Sequence, residues 1–330
     1  MSSTSSAANK QLSTALGIAS LVAITLAVSG SYKHLERSGQ AMLMEPSPTP
    51  RPNLVATPRP SPRTLALAPP THPPTSAPAP SPSVVADSLA AARRPGLDAA
   101  MAGRDDATVA SYLNVRSGFG TMATIDSAYA RLEKDSAQLA SHGSAGEVQS
   151  AVAAVQRDAA QIHGALLAGL PGQAIVVSLA AQELWAYEGG SVVVHTPVTT
   201  GRADLPTDTG PMHVIAKESP WMMSSPWPVG SPNWYPDTPV QMVLWFTTTG
   251  EGLHDAPWQP GGYGRGSENG AYASHGCVHV PPAAVRQVYA WARLGTPVVV
   301  IPGGGTSVAT QLGQMTTDAQ GNARSGVRGA

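Results

Sequence analysis

From Glu45 to Ser83 the chain reads EPSPTPRPNLVATPRPSPRTLALAPPTHPPTSAPAPSPS. Each proline fixes φ and removes a backbone donor, so at this density neither a helix nor a central strand can form. The segment 45–83 is therefore expected to be a semi-extended polyproline linker, at roughly 3 Å per residue reaching on the order of 100 Å. Folded units must lie on either side of it.

On the N-terminal side, Ala15 to Val28 (ALGIASLVAITLAV) is apolar and uncharged, follows Lys10 and precedes a polar stretch from Gly30 to Gln40. At about 14 to 16 residues the run is short for a bilayer span and suits the apolar region of a signal peptide. Ala27, Val28 and Ser29 supply small residues for cleavage, and an uncleaved signal anchor fits the same pattern. Residues 1–44 are thus expected to be a signal peptide or anchor with a short polar segment. The rest of the chain is expected outside the cytoplasm, secreted or held at the membrane. The formal net charge is −1, so no global field favours nucleic acid, and no nucleic-acid partner is expected.

On the C-terminal side, residues 84–170 are Ala-rich. Ile125, Tyr129, Leu132 and Leu139 recur at helical spacing, as do Val148, Val152, Val155 and Ile162, predicting amphipathic helices with a hairpin from about Met122 to Leu167. From residue 171 the pattern turns to β. A run from Ile175 to Tyr187, a turn at Glu188-Gly189-Gly190 and a return through Val192 to Val194 predict a hairpin. Further strand-like runs lie at 212–215, 240–247 and 297–301. One helix is predicted from Pro282 to Leu294, with Val285, Val288, Tyr289 and Ala292 on one face and Gly295 as its stop. Residues 304–330, rich in Gly, Ser, Thr and Gln, are expected to be a disordered tail.

The β region holds the chain's one cysteine, in ASHGCVHVP from Ala273 to Pro281. One thiol cannot form an intramolecular disulfide, and it leaves three readings. It can be a small buried hydrophobe. It can be a nucleophile, for which His275, His279 and upstream His254 offer bases and Gly276 offers close backbone approach. It can be a zinc ligand, because an extended Ser274–Val280 would turn His275, Cys277 and His279 to one face, with His254 or Asp255 completing the set. None of the familiar zinc spacings is present, and three ligands from one strand close a tetrahedron awkwardly.

SHGCV, preceded by Gly252-Leu253-His254-Asp255-Ala256 and then Trp258, resembles the YkuD-type L,D-transpeptidase catalytic domain. The resemblance covers about Gln173 to Pro302. It includes the Thr200-Gly201-Arg202 turn and Pro206-Thr207-Asp208-Thr209-Gly210, which is similar to the family's Thr-Pro-x-Gly segment. It implies a mainly β, sandwich-like catalytic domain over 171–303 with one prominent helix, here preceded by the helical segment and the linker. It implies a cell-wall enzyme that attacks peptidoglycan tetrapeptide stems after their third residue, releases D-alanine and passes a cysteine thioester to an amine of a neighbouring stem. By position, Cys277 is implied as nucleophile and His254 as general base, with the Asp255 carbonyl orienting the imidazole. Ser274 and His275 are implied to shape the site, and the amides of Gly276 and Cys277 to form the oxyanion hole. No metal or organic cofactor is implied, and carbapenems are implied as acylating inhibitors.

Two departures stand out. The family commonly carries Arg or Asn where this chain has His279, so recognition of a substrate carboxylate is expected to be weaker, altered or handled by Arg265 or Arg202, with His279 itself a third substrate-binding candidate. The separation of His254 and Cys277, 23 positions, is long. The aromatic stretch Trp221–Tyr235 reads equally as a cleft wall or as a structural hairpin. A carboxypeptidase or hydrolase on the same stems, and a non-catalytic wall-binding module, remain as alternatives.

Overall fold

The computed structural model describes residues 82–324. The apolar stretch 15–28 and all but the last two residues of the proline-rich segment lie outside them. Three helices come first: α1 (Pro82–Ser117), α2 (Met122–Ser141) and α3 (Ala145–Gly169). Their apolar residues recur once per turn, so Ile125, Leu132 and Leu139 of α2 and Val148, Val155 and Ile162 of α3 are buried together. Ser144 starts α3 with a reciprocal cap, its hydroxyl accepting the Glu147 amide while the Glu147 carboxylate accepts the Ser144 amide at 3.1 Å.

Among the described residues eleven strands follow in three sheets, none of them a closed barrel. β1 (Gln173–Ser178), β2 (Glu183–Glu188), β3 (Ser191–Pro197), β4 (Gly210–His213) and β11 (Pro297–Ile301) form a five-stranded sheet in the order β3-β2-β1-β11-β4. β1 and β11 run parallel, with Ile175 opposite Val298. The second sheet orders β10 (Val278–His279), β9 (Gly252–His254), β8 (Val243–Trp245) and β5 (Ala216–Glu218), while β6 (Trp221–Met223) and β7 (Thr238–Val240) make a separate hairpin.

Strand periodicity divides the central strands between two cores. Ile175, Val177, Val298 and Val300 face inward, against Leu244, Phe246, Leu253, Val278 and the Val285 and Val288 face of α4 (Pro282–Trp291). Val176, Val299 and Ile301 point the other way, joining Tyr187 and the helical residues Tyr112, Leu113, Ile162 and Leu166. A parallel β1–β11 pair that is apolar on both faces needs two covering layers, and the helices are the second one.

Three expectations change. The run 175–187 is two strands, broken at residues 179–182. No glycine marks that turn; Gln182 takes φ 55° and is held by its own side chain, which donates to Leu179 O at 2.7 Å and accepts the Thr200 amide at 2.9 Å. The helix expected to reach Leu294 ends at Trp291, because the Arg293 amide turns to Thr296 Oγ1 and the Gly295 amide to Val214 O. The expected disordered tail instead carries α5 (Val308–Gly313) and a bridge between Thr317 and Ala323.

Composition misled there, because the tail's polar groups are satisfied by partners far away in sequence. Buried Gln311 donates to Asp105 Oδ1 at 3.0 Å and accepts the Gly303 amide, while its carbonyl accepts the Tyr112 hydroxyl at 2.7 Å. Thr316 Oγ1 donates to Asp208 Oδ1 and accepts the Thr209 amide, each at 2.8 Å. Gly210 lets the tail approach; at φ 137°, a Cβ there would lie 2.0 Å from Thr317 Oγ1.

Residues 171–303 made without the helices would expose Val176, Tyr187, Val299 and Ile301. At about 1.5–3 kcal/mol per large apolar side chain, the thermal midpoint is expected to fall by on the order of 15 °C or more. The measurement compares this fragment with residues 82–330 by calorimetry and hydrophobic-dye binding; equal midpoints would show that the helices do not support the sheet.

Candidate active site

Cys277 lies on a segment clamped from both sides. On one side β10 pairs in parallel with β9, Val278 opposite Leu253 and His279 opposite His254. On the other, Thr199 exchanges both backbone bonds with His279, and the Ser274 amide and carbonyl bond Thr200 O and the Arg202 amide. Cys277 precedes the paired Val278, and strand alternation turns it to the same face as His279 and its neighbour His254.

Gly276 is required by geometry. Its φ is 122°, and a Cβ would meet the buried Glu251 carboxylate at 2.7 Å. The loop is fixed by side chains as well. Thr207 Oγ1 donates to Gly276 O at 2.7 Å, and Ser274 Oγ donates to Cys277 O and accepts the Gly276 amide at 3.1 Å. The Gly276 amide, expected as an oxyanion donor, is therefore engaged by Ser274.

His254 is 1 % exposed. Its Nδ1–H donates to Asp255 O at 2.7 Å, which leaves the Nε2 lone pair as the basic atom. The Asp255 carboxylate works elsewhere, accepting the Gln241 and Met242 amides at 2.9 Å and fixing the approach to β8. Burial holds the His254 pKa below the ordinary imidazole value against smaller opposing effects of Asp255.

The half-buried thiol is not a resting thiolate. Burial pushes its pKa up to about 12; the Gly252 amide opposes the shift and the Glu251 charge adds to it. The sulfur's own hydrogen bond runs to Gly250 O at 3.7 Å. A neighbouring imidazole ordinarily lowers a thiol pKa, and here desolvation dominates. The resting pair is a neutral thiol and a neutral imidazole.

The remaining candidates separate. His279 is buried edge-on to His254 with ring centroids 5.0 Å apart, and its Nδ1 lies 3.1 Å from Gln259 Oε1. Burial and then the neighbouring histidines hold its pKa well below the ordinary value, so it supplies no cation for a carboxylate. His275 instead lies between Trp227 and Tyr235, at 5.4 and 5.2 Å, and its Nε2 accepts Arg202 Nη1 at 3.1 Å. Arg202 also reaches Asp204 and Asn233, so it braces the aromatic hairpin. Arg265 is exposed on the loop after Gly264, apart from these contacts.

His275 and His279 thus turn to different partners. Among the described residues no three His, Cys, Asp or Glu side chains are grouped to hold a metal ion. The stretch 221–235 belongs to the β6–β7 hairpin, whose Met223, Val240 and Tyr235 pack with Val243, Trp245 and Cys277. It walls the thiol while its tip exposes Val229 and Trp234. Sequence reasoning missed Glu251 and Gln259 as parts of the site. Neither has a local motif, although Gln259 follows the HDAPW stretch directly.

Residues 172–300 match the family model of the YkuD L,D-transpeptidase catalytic domain. Over 129 residues the chain is 27 % identical to L,D-transpeptidase 1 of Mycobacterium tuberculosis, covering 38 % of this chain and 49 % of that protein. The chain spans about half the length of the curated relatives it matches. Similar solved structures include an L,D-transpeptidase from Mycobacterium smegmatis, 27 % identical over 39 % of this chain and 58 % of that one, with a TM-score of 0.36. Another is the catalytic domain of an E. faecium L,D-transpeptidase acylated by ertapenem, 28 % identical over 40 % of this chain and 98 % of that one, with a TM-score of 0.34.

Two outcomes follow from the site's electrostatics. Iodoacetamide labelling of Cys277 is expected to accelerate about tenfold per pH unit from pH 7 to 9, since the thiolate fraction does so below its pKa; a plateau below pH 8 would reveal a preformed thiolate. The unfolded chain, with imidazoles near 6.5, binds more protons than a fold holding His254 and His279 neutral. Stability should therefore fall as pH drops below about 6.5. Denaturant midpoints at pH 7.5 and 5.5 should show a smaller loss for His279→Gln than for the wild type, and an unchanged loss would remove His279 as a cause.

Proposed function

Because residues 172–300 carry an L,D-transpeptidase catalytic domain, we propose that this chain cross-links peptidoglycan stems through a thioester on Cys277. The observation that carries the reading is the placement of Cys277 and His254 on one face of a paired β9–β10 edge, with the His254 tautomer pinned by Asp255 O.

In this scheme His254 Nε2 takes the thiol proton as sulfur attacks the carbonyl of the stem's third residue. The tetrahedral oxyanion collapses by breaking the C–N bond to D-alanine, which leaves with the proton from the imidazolium. An amine of a second stem then attacks the thioester and gives its proton to His254. Collapse expels the sulfur, and the proton returns to it. The Cys277 amide is the backbone donor left for the oxyanion, since Ser274 holds that of Gly276. A thiol with a raised pKa suits transfer concerted with attack, because substrate docking completes the site. The β6–β7 aromatics wall the acyl chain, and the chain works at the cell wall, extracytoplasmic, with the N-terminal segment as signal or anchor.

The test incubates the purified chain with disaccharide tetrapeptides and reads products by mass spectrometry. Cross-linked dimers with free D-alanine are expected, whereas tripeptide without dimers would make the enzyme a hydrolase. Cys277→Ala is expected to abolish turnover, and His254→Ala to slow it by about 10²–10⁴-fold. Ertapenem should add one adduct mass to the wild type and none to Cys277→Ala. No adduct on a folded wild type would remove Cys277 as the nucleophile.

A further inference from the structure

Glu251 sits in the turn between β8 and β9, one residue before the strand that carries His254, and is only 4 % exposed. Its backbone is fixed at both ends. The amide donates to Thr247 Oγ1 at 2.8 Å, and the carbonyl accepts the Phe246 amide at 3.0 Å. Burying a carboxylate is costly unless it is hydrogen-bonded. Here Oε2 accepts the Asp208 amide at 3.0 Å. Oε1 lies against Gly276, 2.7 Å from where a Cβ would stand, so the hydrogen that the glycine carries in that direction meets the oxygen.

The loop that offers the Asp208 amide grips the same glycine from its other side, since Thr207 Oγ1 donates to Gly276 O at 2.7 Å. Glu251, the 207–208 loop and Gly276 therefore form a closed triangle of contacts. The thiol stands at its edge. Cys277 follows Gly276, and its sulfur donates at 3.7 Å to the carbonyl of Gly250, the residue before Glu251.

We propose that Glu251 is a positioning residue for the nucleophile: its carboxylate locks Gly276 to the 207–208 loop and places a negative charge behind the thiol. The inference rests on Cys277 as the reacting group of the transpeptidase reading. Position and charge do separate things. The triangle fixes where the sulfur points. The anion disfavours a second negative charge beside it and so reinforces the effect of burial on the thiol. Cys277 then stays protonated until a docked substrate draws its proton to His254. The other titratable groups around the thiol are His254 and His279 of β9 and β10, His275, Tyr235 of the aromatic hairpin, and Asp208 behind Glu251. The variants below leave all of them in place.

The test uses the full chain and reads the thiol in two ways. Alkylation by iodoacetamide, a small reagent, reports thiol acidity, and the rate of ertapenem acylation, followed by intact mass, reports how the sulfur is aimed. Glu251→Gln keeps the side chain's size and an oxygen for the Asp208 amide but removes the charge. Its alkylation at pH 8 should be about threefold faster, because a roughly tenfold gain in thiolate is partly offset by lower nucleophilicity. Glu251→Asp keeps the charge but draws it back from Gly276 by one methylene. Its ertapenem acylation should slow about tenfold or more, while its alkylation changes by less than about twofold. Asp98→Asn, an exposed carboxylate on α1, should change neither rate. A merely structural role would lower both rates together with the thermal midpoint. The proposal is overturned by alkylation of a folded Glu251→Gln that is unchanged or slower, by ertapenem acylation of Glu251→Asp at the wild-type rate, or by a Glu251→Gln chain that does not fold. If the wild type forms no ertapenem adduct, the transpeptidase reading falls, and the alkylation rates still decide on Glu251.

Discussion

The constraint on which the rest depends is the parallel pairing of β1 with β11. Both strands are runs of branched apolar residues, and period-two alternation sends Val177 and Val300 to one side and Val176 and Ile301 to the other. Such a pair is stable only between two apolar layers. One layer is built by the second sheet and α4, and it fixes β9 and β10, hence His254 and Cys277. The other is the helical segment. The amphipathic helices of residues 84–170 are thus the outer half of the sheet's own support.

Much of this was legible in the chain, for identifiable reasons. SHGC with an upstream His-Asp is a local pattern, so Cys277, His254 and the family resemblance could be read from contiguous residues. Helical periodicity in 122–167 and strand alternation after 191 are local as well. The missed features are non-local. The turn at 179–182 lacks glycine because the Gln182 side chain, bonding to Leu179 and Thr200, does the work that glycine usually does. The tail looked unstructured because Gln311, Thr316 and Thr317 are polar; their partners Asp105, Asp208 and Thr209 lie 100 or more positions earlier.

The electrostatics of the site were also out of reach of local reading. A histidine near a cysteine suggests an ion pair, yet burial disfavours charge on both, and Glu251 adds a like charge behind the sulfur. His279, at the position where the resembled family commonly carries Arg or Asn, packs as a neutral ring between His254, Trp258 and Gln259. The space beside Cys277 is then bounded by side-chain walls. Those walls are the aromatic hairpin that His275 and Arg202 hold against the loop.

The tail's grip on the 208–209 loop has a temporal consequence. Thr207, one residue upstream of that grip, holds the Gly276 carbonyl, so a chain of contacts runs from Thr316 through Asp208 to the cysteine loop. Residues 314–317 leave the ribosome after Cys277 and after every strand of the domain. The brace behind the thiol closes last, so a nascent chain carries Cys277 before it carries the frame that aims it.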